Sequence, residues 1–380
     1  MKFKSPIIIL TLLLNIFIGN SQVKDFKEKF NLPSKVKETS GLLFLNDKII
    51  THNDSGDEAN LYEIDSLSGN LLRTVFINNV THTDWEDIAD DESYIYIGDF
   101  GNNSGNRKDL KIFRILKSDF LTNNSISAEE ISFSYEDQTN FDEPEYHNFD
   151  AEAFVVYDDS FLIFTKNRYD FKTNVYKIPK TIGKHSAIKV STANVKGLIT
   201  GATLQNDNFM LCGYNTNLVP FLIYISFNRA PGDNIFSSGF AKESLENELG
   251  QGSQVEGITS FDNGKYYISR EYFSTKIGGN QFTFSQKLYE FTDERDFLLS
   301  TEKNDVEKLV LGPNPTSSKI YINSKKTIKK GAIYNTLGKK VLEFTANLHE
   351  IDISSLSKGI YLLNIQFDDL KSINRKIIKV

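Results

Sequence analysis

The feature of this sequence that most constrains its fold is a loose repeat between residues 23 and about 300. Each copy opens a strand with a small or acidic pair. A short turn, an apolar strand with a polar tail, a loop and a strand of the form apolar-Tyr-x-apolar then follow. The copies open at residues 40, 86, 152, 201 and 256. A period of roughly 50 residues made of short strands is typical of the blades of a β-propeller.

A fourth, outer strand follows several copies, for example at residues 71–77, 131–135 and 187–191. Copy five has no convincing outer strand, and residues 23–33 are the segment available to supply it and to close the ring. No segment keeps an apolar period of 3.6 residues, which argues against a helical fold. The repeat therefore predicts an all-β fold with a five- or six-bladed propeller at residues 23–300. The alternative is a chance alignment within an array of ordinary β-sandwiches.

The C-terminal part of the chain differs from the rest in charge. Residues 309–380 contain 12 Lys and Arg against 5 Asp and Glu. Their net charge of +7 leaves −14 for the remainder, since the whole chain carries −7. Such a break marks a domain boundary, and we place a charged linker at 301–308. The tail shows six short alternating runs, which predict a small immunoglobulin-like β-sandwich.

The N-terminal residues have the three-part plan of a secretory signal peptide, which we place at 1–21. Lys2 and Lys4 precede an apolar run at 7–18, and residues 19–21 are small or polar. A membrane-spanning helix needs about 20 apolar residues. We therefore expect no transmembrane anchor in the mature chain.

Composition removes several functional classes. One Cys and five His in 380 residues exclude a disulfide framework, an iron–sulfur centre and a multi-cysteine zinc site. The excess of 50 acidic over 43 basic residues argues against a nucleic-acid partner. The Gly-x-Ser-x-Gly motif of many serine hydrolases does not occur.

The blade pattern predicts that polar side chains gather at one mouth of the central channel. The opening pair of each copy enters the innermost strand, and the polar tail of the second strand ends on the same face. From the opening pairs we predict Trp85, Glu86, Asp87, Glu152 and Glu256 at this mouth. The polar tails add His52, Asn53, Asp54, Asp99, Asn102, Asn103, Lys166, Arg168, Tyr214, Arg270 and Glu271.

Three glutamates of this set, Glu86, Glu152 and Glu256, fall in register on inner strands and repel one another unless they are neutralised. Oxygen ligands suit a hard cation such as Ca²⁺, so one hypothesis is a channel cation held by these three side chains. If that cation activates water, His52 and Asp99 are the candidate catalytic groups. The structural alternative is that each glutamate caps backbone amides of the next blade or pairs with an arginine.

Four spaced motifs in the tail carry a family resemblance: Pro-Asn-Pro-Thr-Ser at 313–317, and runs at 333–341, 351–363 and 376–379. Together they resemble the type A C-terminal sorting domain of the type IX secretion system. The resemblance implies a Bacteroidetes-type envelope and residues 309–380 as the part that meets the secretion machinery. It also implies a protein that is secreted or held at the outer-membrane surface. The alternative is an ordinary immunoglobulin-like module that binds a partner.

A second resemblance covers the first copies of the repeat. Thr-Ser-Gly-Leu at 39–42, Leu-Tyr-Glu-Ile-Asp at 61–65 and Asp-Trp-Glu-Asp-Ile-Ala at 84–89 are similar to SdiA-regulated and esterase-like-phytase propellers. Asp87 stands where that pattern usually has Gly. The resemblance implies calcium-assisted phosphoester cleavage, although the full acidic calcium set of a propeller phytase is not identifiable in this sequence.

These observations predict an exported propeller that binds an unknown extracellular ligand at its channel mouth. Two alternatives stay open. One is a calcium-dependent hydrolase of phosphoesters or lactones. The other is a surface adhesion module that recognises protein or glycan through aromatic loops such as those of Tyr169, Tyr214 and Tyr272.

Overall fold

The computed structural model describes residues 22–142, 146–226, 234–278, 280–295, 310–312, 315–324, 327–335, 338–345, 350–367 and 372–380. The predicted signal peptide and the predicted linker lie outside these residues. The chain divides into two compact units, Met1–Leu298 and Leu299–Val380. Among the described residues, no helix combines the length and the apolar character needed to span a membrane.

The first unit consists almost entirely of β-strands, as the sequence predicts, with two short helices, α1 (Lys117–Thr122) and α2 (Glu246–Leu249). Its strands are, in chain order, β1 (Val23–Asn31), β2 (Thr39–Leu45), β3 (Lys48–Asn53), β4 (Asn60–Asp65), β5 (Leu71–Ile77), β6 (Trp85–Asp90), β7 (Tyr94–Asp99), β8 (Lys111–Leu116), β9 (Ser125–Ile126), β10 (Glu129–Tyr135), β11 (Ala151–Tyr157), β12 (Ser160–Thr165), β13 (Thr173–Pro179), β14 (Gly183–Ala193), β15 (Leu198–Gln205), β16 (Asn208–Tyr214), β17 (Pro220–Ser226), β18 (Ala241–Ser244), β19 (Val255–Asp262), β20 (Lys265–Arg270), β21 (Phe273–Ile277), β22 (Asn280–Phe284) and β23 (Lys287–Asp293).

Each predicted copy of the repeat forms one antiparallel run. The runs have the orders β2-β3-β4-β5, β6-β7-β8-β10, β11-β12-β13-β14, β15-β16-β17-β18 and β19-β20-β23-β1. The prediction that the N-terminal segment completes the last run is confirmed, since β1 pairs with β23. The second and third runs join through the parallel pair β10–β14 into one eight-stranded sheet. The two ends of that sheet, β6 and β11, contact each other, so the sheet is nearly closed.

The first strands of the five runs surround a common cavity. Strands β2, β6, β11, β15 and β19 contact one another in cyclic order, and β19 returns to β2. A cavity of about 120 Å³ is lined by three consecutive residues from each of them, namely 42–44, 88–90, 154–156, 202–204 and 258–260. The opening pairs of the repeat therefore lie on strands that border one axis.

Two local features allow these strands to approach closely. A Cβ atom on Gly257 would overlap the carbonyl oxygen of Ser40, and one on Gly201 would overlap the carbonyl oxygen of Glu256. Each strand also has a shift in register near its start, which is the mark of a β-bulge and re-aims the side chain there. In copy four the shift falls between Ile199 and Gly201, so the predicted opening at residue 201 was one residue late.

Apolar side chains fill the spaces between neighbouring runs. The ring centroids of Tyr96 and Phe161 are 4.8 Å apart between the second and third runs, and those of Phe164 and Phe209 are 6.3 Å apart between the third and fourth. Cys212 is buried in such a layer together with Met210 and Leu222, as a small apolar residue would be. Burial of such side chains contributes about 1.5–3 kcal/mol each.

The described residues of the second unit form seven strands in two sheets. The strands are β24 (Val310–Gly312), β25 (Lys319–Asn323), β26 (Ile328–Asn335), β27 (Lys340–Thr345), β28 (Glu350–Asp352), β29 (Gly359–Phe367) and β30 (Ser372–Lys379). Their orders are β24-β25-β28 and β27-β26-β29-β30. Ile320 and Ile351 from the first sheet share one core cluster with Ile333 and Leu363 from the second. Each of the six predicted runs coincides with one of β25 to β30.

Candidate functional site

Acidic side chains of three runs meet around one lysine. Glu86, Glu152 and Glu256 lie at the starts of β6, β11 and β19, and Lys166 directly follows β12. All four are less than a tenth exposed. Their electrostatic interactions with one another show that the structure brings them together. The convergence predicted from the repeat is therefore present, and with the neighbouring acids it forms the mouth cluster: Asp54, Asp84, Glu86, Glu152, Lys166 and Glu256.

Lys166 is the cation at the centre of the mouth cluster. Its Nζ lies 2.9 Å from Glu152 Oε1 and 5.7 Å from the ring centroid of Tyr214. Burial lowers the pKa of Lys166, but Glu152, Tyr214, Glu256 and Glu86 together raise it well above its usual value. Lys166 therefore remains an ammonium ion and offsets part of the negative charge.

A compact acidic triad lies beside this lysine. Potential ligand oxygens of Asp54, Asp84 and Glu86 all lie within 4.8 Å of one another. Asp84 and Glu86 are two residues apart at the start of β6, a spacing that places side chains on one side of a strand. Both carboxylates rest against Gly101, where a Cβ atom would overlap them. Asp54 enters from the end of β3.

The triad is costly to ionise in the folded protein. Burial, reinforced by Asp84 and Glu152, raises the pKa of Asp54 to about 9. Burial also raises the pKa of Asp84, and it raises that of Glu86 well above the usual value. Within the described residues, Asp54 Oδ1 is buried without a hydrogen-bond partner. Strong perturbation by burial and by neighbouring carboxylates is characteristic of functional sites.

Two arginines flank the mouth cluster. Arg107 Nη2 lies 2.8 Å from Asp99 Oδ1, and Arg168 Nε lies 2.9 Å from Asp150 Oδ2. The second guanidinium also donates to Asn103, which places that predicted residue at the rim. Asp99, a predicted catalytic group, is thus engaged in an ion pair.

His52, the other predicted catalytic group, is fully buried. Burial lowers the pKa of its imidazole to about 4, and its ring packs edge-on against Trp85 with centroids 5.7 Å apart. Trp85 is itself fully buried and also packs against His82 and Phe113. The prediction that Trp85 contacts a ligand is therefore wrong, because the first residue of β6 faces the layer between two runs.

Several predicted residues make structural contacts instead. Asp87 accepts hydrogen bonds from the backbone N–H groups of Ile88 and Phe154, at 2.8 and 3.0 Å, and so links β6 to β11. This is the amide cap that the structural alternative describes, made by Asp87 and not by a glutamate. Asn53 donates to the backbone oxygen of Lys35 and to Asp57, and it holds the loop after β3.

Asn102 likewise serves the local fold, since it donates to Phe149 O at 2.8 Å and accepts from Arg107 N–H at 2.9 Å. Arg270 donates to Ser285 O at 3.0 Å and lies over the ring of Phe284. Both side chains are committed to backbone groups of neighbouring loops.

Glu271 interacts with two members of the mouth cluster. It accepts from Gln254, and it interacts electrostatically with Lys166 and Glu256. Burial raises its pKa to about 7.

Asp84 and Arg107 belong to the site but were not predicted from the sequence. The signal for Asp84 was its position two residues before Glu86, on the same side of the strand. Arg107 gave no such signal, because it reaches Asp99 from a loop eight residues further along the chain.

Comparison with known proteins gives one family match. Residues 311–380 match the model of the family described as the secretion system C-terminal sorting domain. No curated protein matches this chain.

Among solved structures, three illustrate the level of similarity. PorZ, an essential surface component of the type IX secretion system of Porphyromonas gingivalis, is 12% identical, with a TM-score of 0.34 over 90% of this chain and 45% of that chain. An exo-β-1,3-galactanase from Phanerochaete chrysosporium is 8% identical, with a TM-score of 0.45 over 93% of each chain. A DUF4623 family protein from Bacteroides eggerthii is 9% identical, with a TM-score of 0.38 over 90% of this chain and 71% of that chain.

This chain thus spans about half the length of PorZ. At these TM-scores the similarity indicates neither the fold nor the function of either unit. The family match is different, since it covers the second unit and coincides with the motifs identified in the sequence. Residues 311–380 are a C-terminal sorting domain of the type IX secretion system, and the protein is secreted or displayed at the cell surface.

Proposed function

We propose that the first unit is a five-bladed β-propeller and the second an immunoglobulin-like sandwich. Five antiparallel runs, one cyclic set of inner strands and one cavity lined equally by all five support the propeller. The N-terminal strand β1 would then join the first and last parts of the unit within one blade. This arrangement closes the ring through hydrogen bonds and not through a covalent link.

We propose further that the channel mouth binds an extracellular ligand through a divalent cation, with Ca²⁺ as the expected ion. The observation that carries this proposal is the partly buried triad of Asp54, Asp84 and Glu86, whose oxygens lie within 4.8 Å of one another. Hard oxygen ligands in this number suit Ca²⁺ with its remaining positions open to a ligand. This triad replaces the predicted ligand set of Glu86, Glu152 and Glu256, because Glu152 and Glu256 interact with Lys166 in the structure.

The arrangement favours ligand binding over hydrolysis. A general base must reach the proton that it removes. His52 is buried against Trp85, and Asp99 is paired with Arg107. Both candidate bases for a water-activating mechanism are therefore committed to other contacts, and we expect binding without turnover.

Calorimetric titration of the exported protein with CaCl₂ tests this function. We expect one Ca²⁺ per chain, and loss of binding in Asp84→Asn/Glu86→Gln. The matched control is Asp262→Asn, which changes an exposed carboxylate at the end of β19. Absence of binding to the unmutated protein would refute the cation site.

An assay of the same proteins with p-nitrophenyl phosphate and a simple γ-lactone in Ca²⁺ separates binding from catalysis. We expect no turnover above the buffer rate. Turnover that disappears in the Asp84→Asn/Glu86→Gln variant would instead establish the hydrolase.

A further inference from the structure

A second pocket lies apart from the mouth cluster, at the junction of the second and third runs. Residues 137, 140 and 146–149, which follow β10, line one part of it, and Tyr169, Asn174, Tyr176 and Lys189 line the rest. Its volume is about 360 Å³. This volume falls in the range of small-ligand pockets, roughly 300–1,000 Å³. None of its lining residues belongs to the mouth cluster.

Two exposed tyrosines line this pocket. Tyr146 is 59% exposed and Tyr169 is 70% exposed, and they come from two different segments of the chain. An aromatic ring offers a flat apolar face with a polar hydroxyl at its end. Two such exposed rings provide flat surfaces against which a ring-shaped ligand can stack.

The polar side chains of this pocket are held in place by bonds to their neighbours. The Lys189 ammonium pairs with Asp137, and Tyr176 donates from its hydroxyl to Asp137 Oδ1 at 2.9 Å. Asn148 also lines the pocket, and its Oδ1 accepts the Tyr169 N–H at 3.3 Å, which positions that loop. Carboxylate, ammonium and amide groups together offer both acceptors and donors at fixed positions.

An unsatisfied donor lies next to side chains that line this pocket. Among the described residues, the buried hydroxyl of Tyr135 has no hydrogen-bond partner. Its ring contacts the rings of Tyr176 and Phe149, which both line the pocket, at centroid distances of 4.5 and 5.4 Å. A buried polar group without a partner costs about 1–3 kcal/mol.

We propose that this pocket binds a neutral saccharide. The C–H face of a pyranose ring stacks on an aromatic face, and its hydroxyl groups need donors and acceptors in alternation, which the Asp137–Lys189 pair and Asn148 supply. An anionic ligand fits less well, because the one lysine of the pocket is already paired with a carboxylate. A purely apolar ligand fits less well, because it would cover the Asp137–Lys189 pair and Asn148 without hydrogen-bonding to them.

Affinity electrophoresis of the exported protein tests the proposal with four soluble polysaccharides in the gel: xylan, galactan, mannan and a mixed-linkage β-glucan. We expect retardation by at least one of them, and a loss of affinity of roughly tenfold or more in Tyr146→Ala/Tyr169→Ala. Tyr169→Phe keeps the stacking face, so it should stay within about twofold of the unmutated protein.

Tyr321→Ala is the matched control, because Tyr321 is 54% exposed and lies in the second unit. The result should not change in EDTA, since the pocket does not use the cation site. Retardation in none of the four gels would overturn the proposal, as would equal retardation of the double tyrosine variant. Binding to a tyrosine-containing peptide array in place of the polysaccharides would also overturn it, in favour of a peptide site.

Discussion

Lys166 Nζ lies 2.9 Å from Glu152 Oε1, and both side chains are less than a tenth exposed. This ion pair joins the tail of β12 to the start of β11 inside the third run, and it interacts with Glu86 of the second run and Glu256 of the fifth. The one buried ammonium group of Lys166 offsets part of the repulsion among the three glutamates that lie in register on the inner strands. The carboxyl groups of Asp54, Asp84 and Glu86 lie together beside this pair.

Replacing this lysine should destabilise the first unit. Lys166→Met leaves buried carboxylates without their cation, and breaking a buried pair by removing one partner costs about 3–5 kcal/mol. Urea denaturation in EDTA measures the change in the free energy of unfolding. The control is Lys265→Met, whose exposed pair with Asp262 should contribute only about 0–1 kcal/mol. Equal stability of the two variants would argue against a central role for Lys166.

Stability should fall as pH rises through neutrality when no cation is present. Burial raises the pKa of Glu152 to about 8 and that of Glu271 to about 7, both from a usual value of 4.5. Between the usual pKa of 4.5 and these raised values, the two carboxyl groups hold more protons in the folded state than in the unfolded state. The free energy of unfolding therefore falls as pH increases. Urea midpoints in EDTA from about pH 5 to about pH 9 measure this slope, and Glu152→Gln/Glu271→Gln should reduce it. A rise in the free energy of unfolding over that range would contradict the raised pKa values of Glu152 and Glu271.

The close approach of the first and last inner strands should depend on Gly257. A methyl group at this position would overlap the Ser40 carbonyl oxygen, and overpacking of this kind costs about 1–3 kcal/mol. The control is Ala153→Gly, because Ala153 occupies the corresponding place on β11 and already accommodates a Cβ atom. We expect thermal denaturation to show a larger loss for Gly257→Ala than for Ala153→Gly. The reverse order would mean that the two strands are further apart.

Strand β1 should be required for a closed ring. Phe26 on β1 stacks on Phe291 of β23 with centroids 5.8 Å apart, and the whole strand pairs with β23. A chain that begins at Pro33 exposes the edge of β23, and exposed edges favour association. Size-exclusion chromatography should show aggregation of this shortened protein. Lys27→Ala, which alters only an exposed ion pair on the same strand, should remain monodisperse.

Much of the fold was accessible from the sequence because each copy of the repeat has a strong local pattern. The predicted strand 71–77 has the bounds of β5. The N-terminal segment was also predicted to complete the last run, as β1 does. The opening of copy four was misplaced by one residue because β-bulges shift the register without leaving a mark in the apolar pattern. A bulge depends on how two strands pair, and pairing is not local.

The candidate site was predicted in part. The repeat predicts that Glu86, Glu152 and Lys166 converge. It does not predict which side chains each of them contacts. The sequence does not reveal that Asp87 turns toward the N–H of Phe154, since that contact joins residues from different runs. Nor does it reveal that Trp85 faces the core, because the bulge after it sets its direction. Side-chain direction at these points is decided by tertiary packing.

Terbium luminescence tests the central claim most directly, because Trp85 is the single tryptophan and lies between two proposed ligands, Asp84 and Glu86. Selective excitation of the indole should give saturable Tb³⁺ emission that Ca²⁺ displaces. The account predicts that Asp84→Asn abolishes this emission and that Glu256→Gln retains it. Emission that survives Asp84→Asn but disappears in Glu256→Gln would place the ion among the glutamates around Lys166. Such a result would contradict the triad.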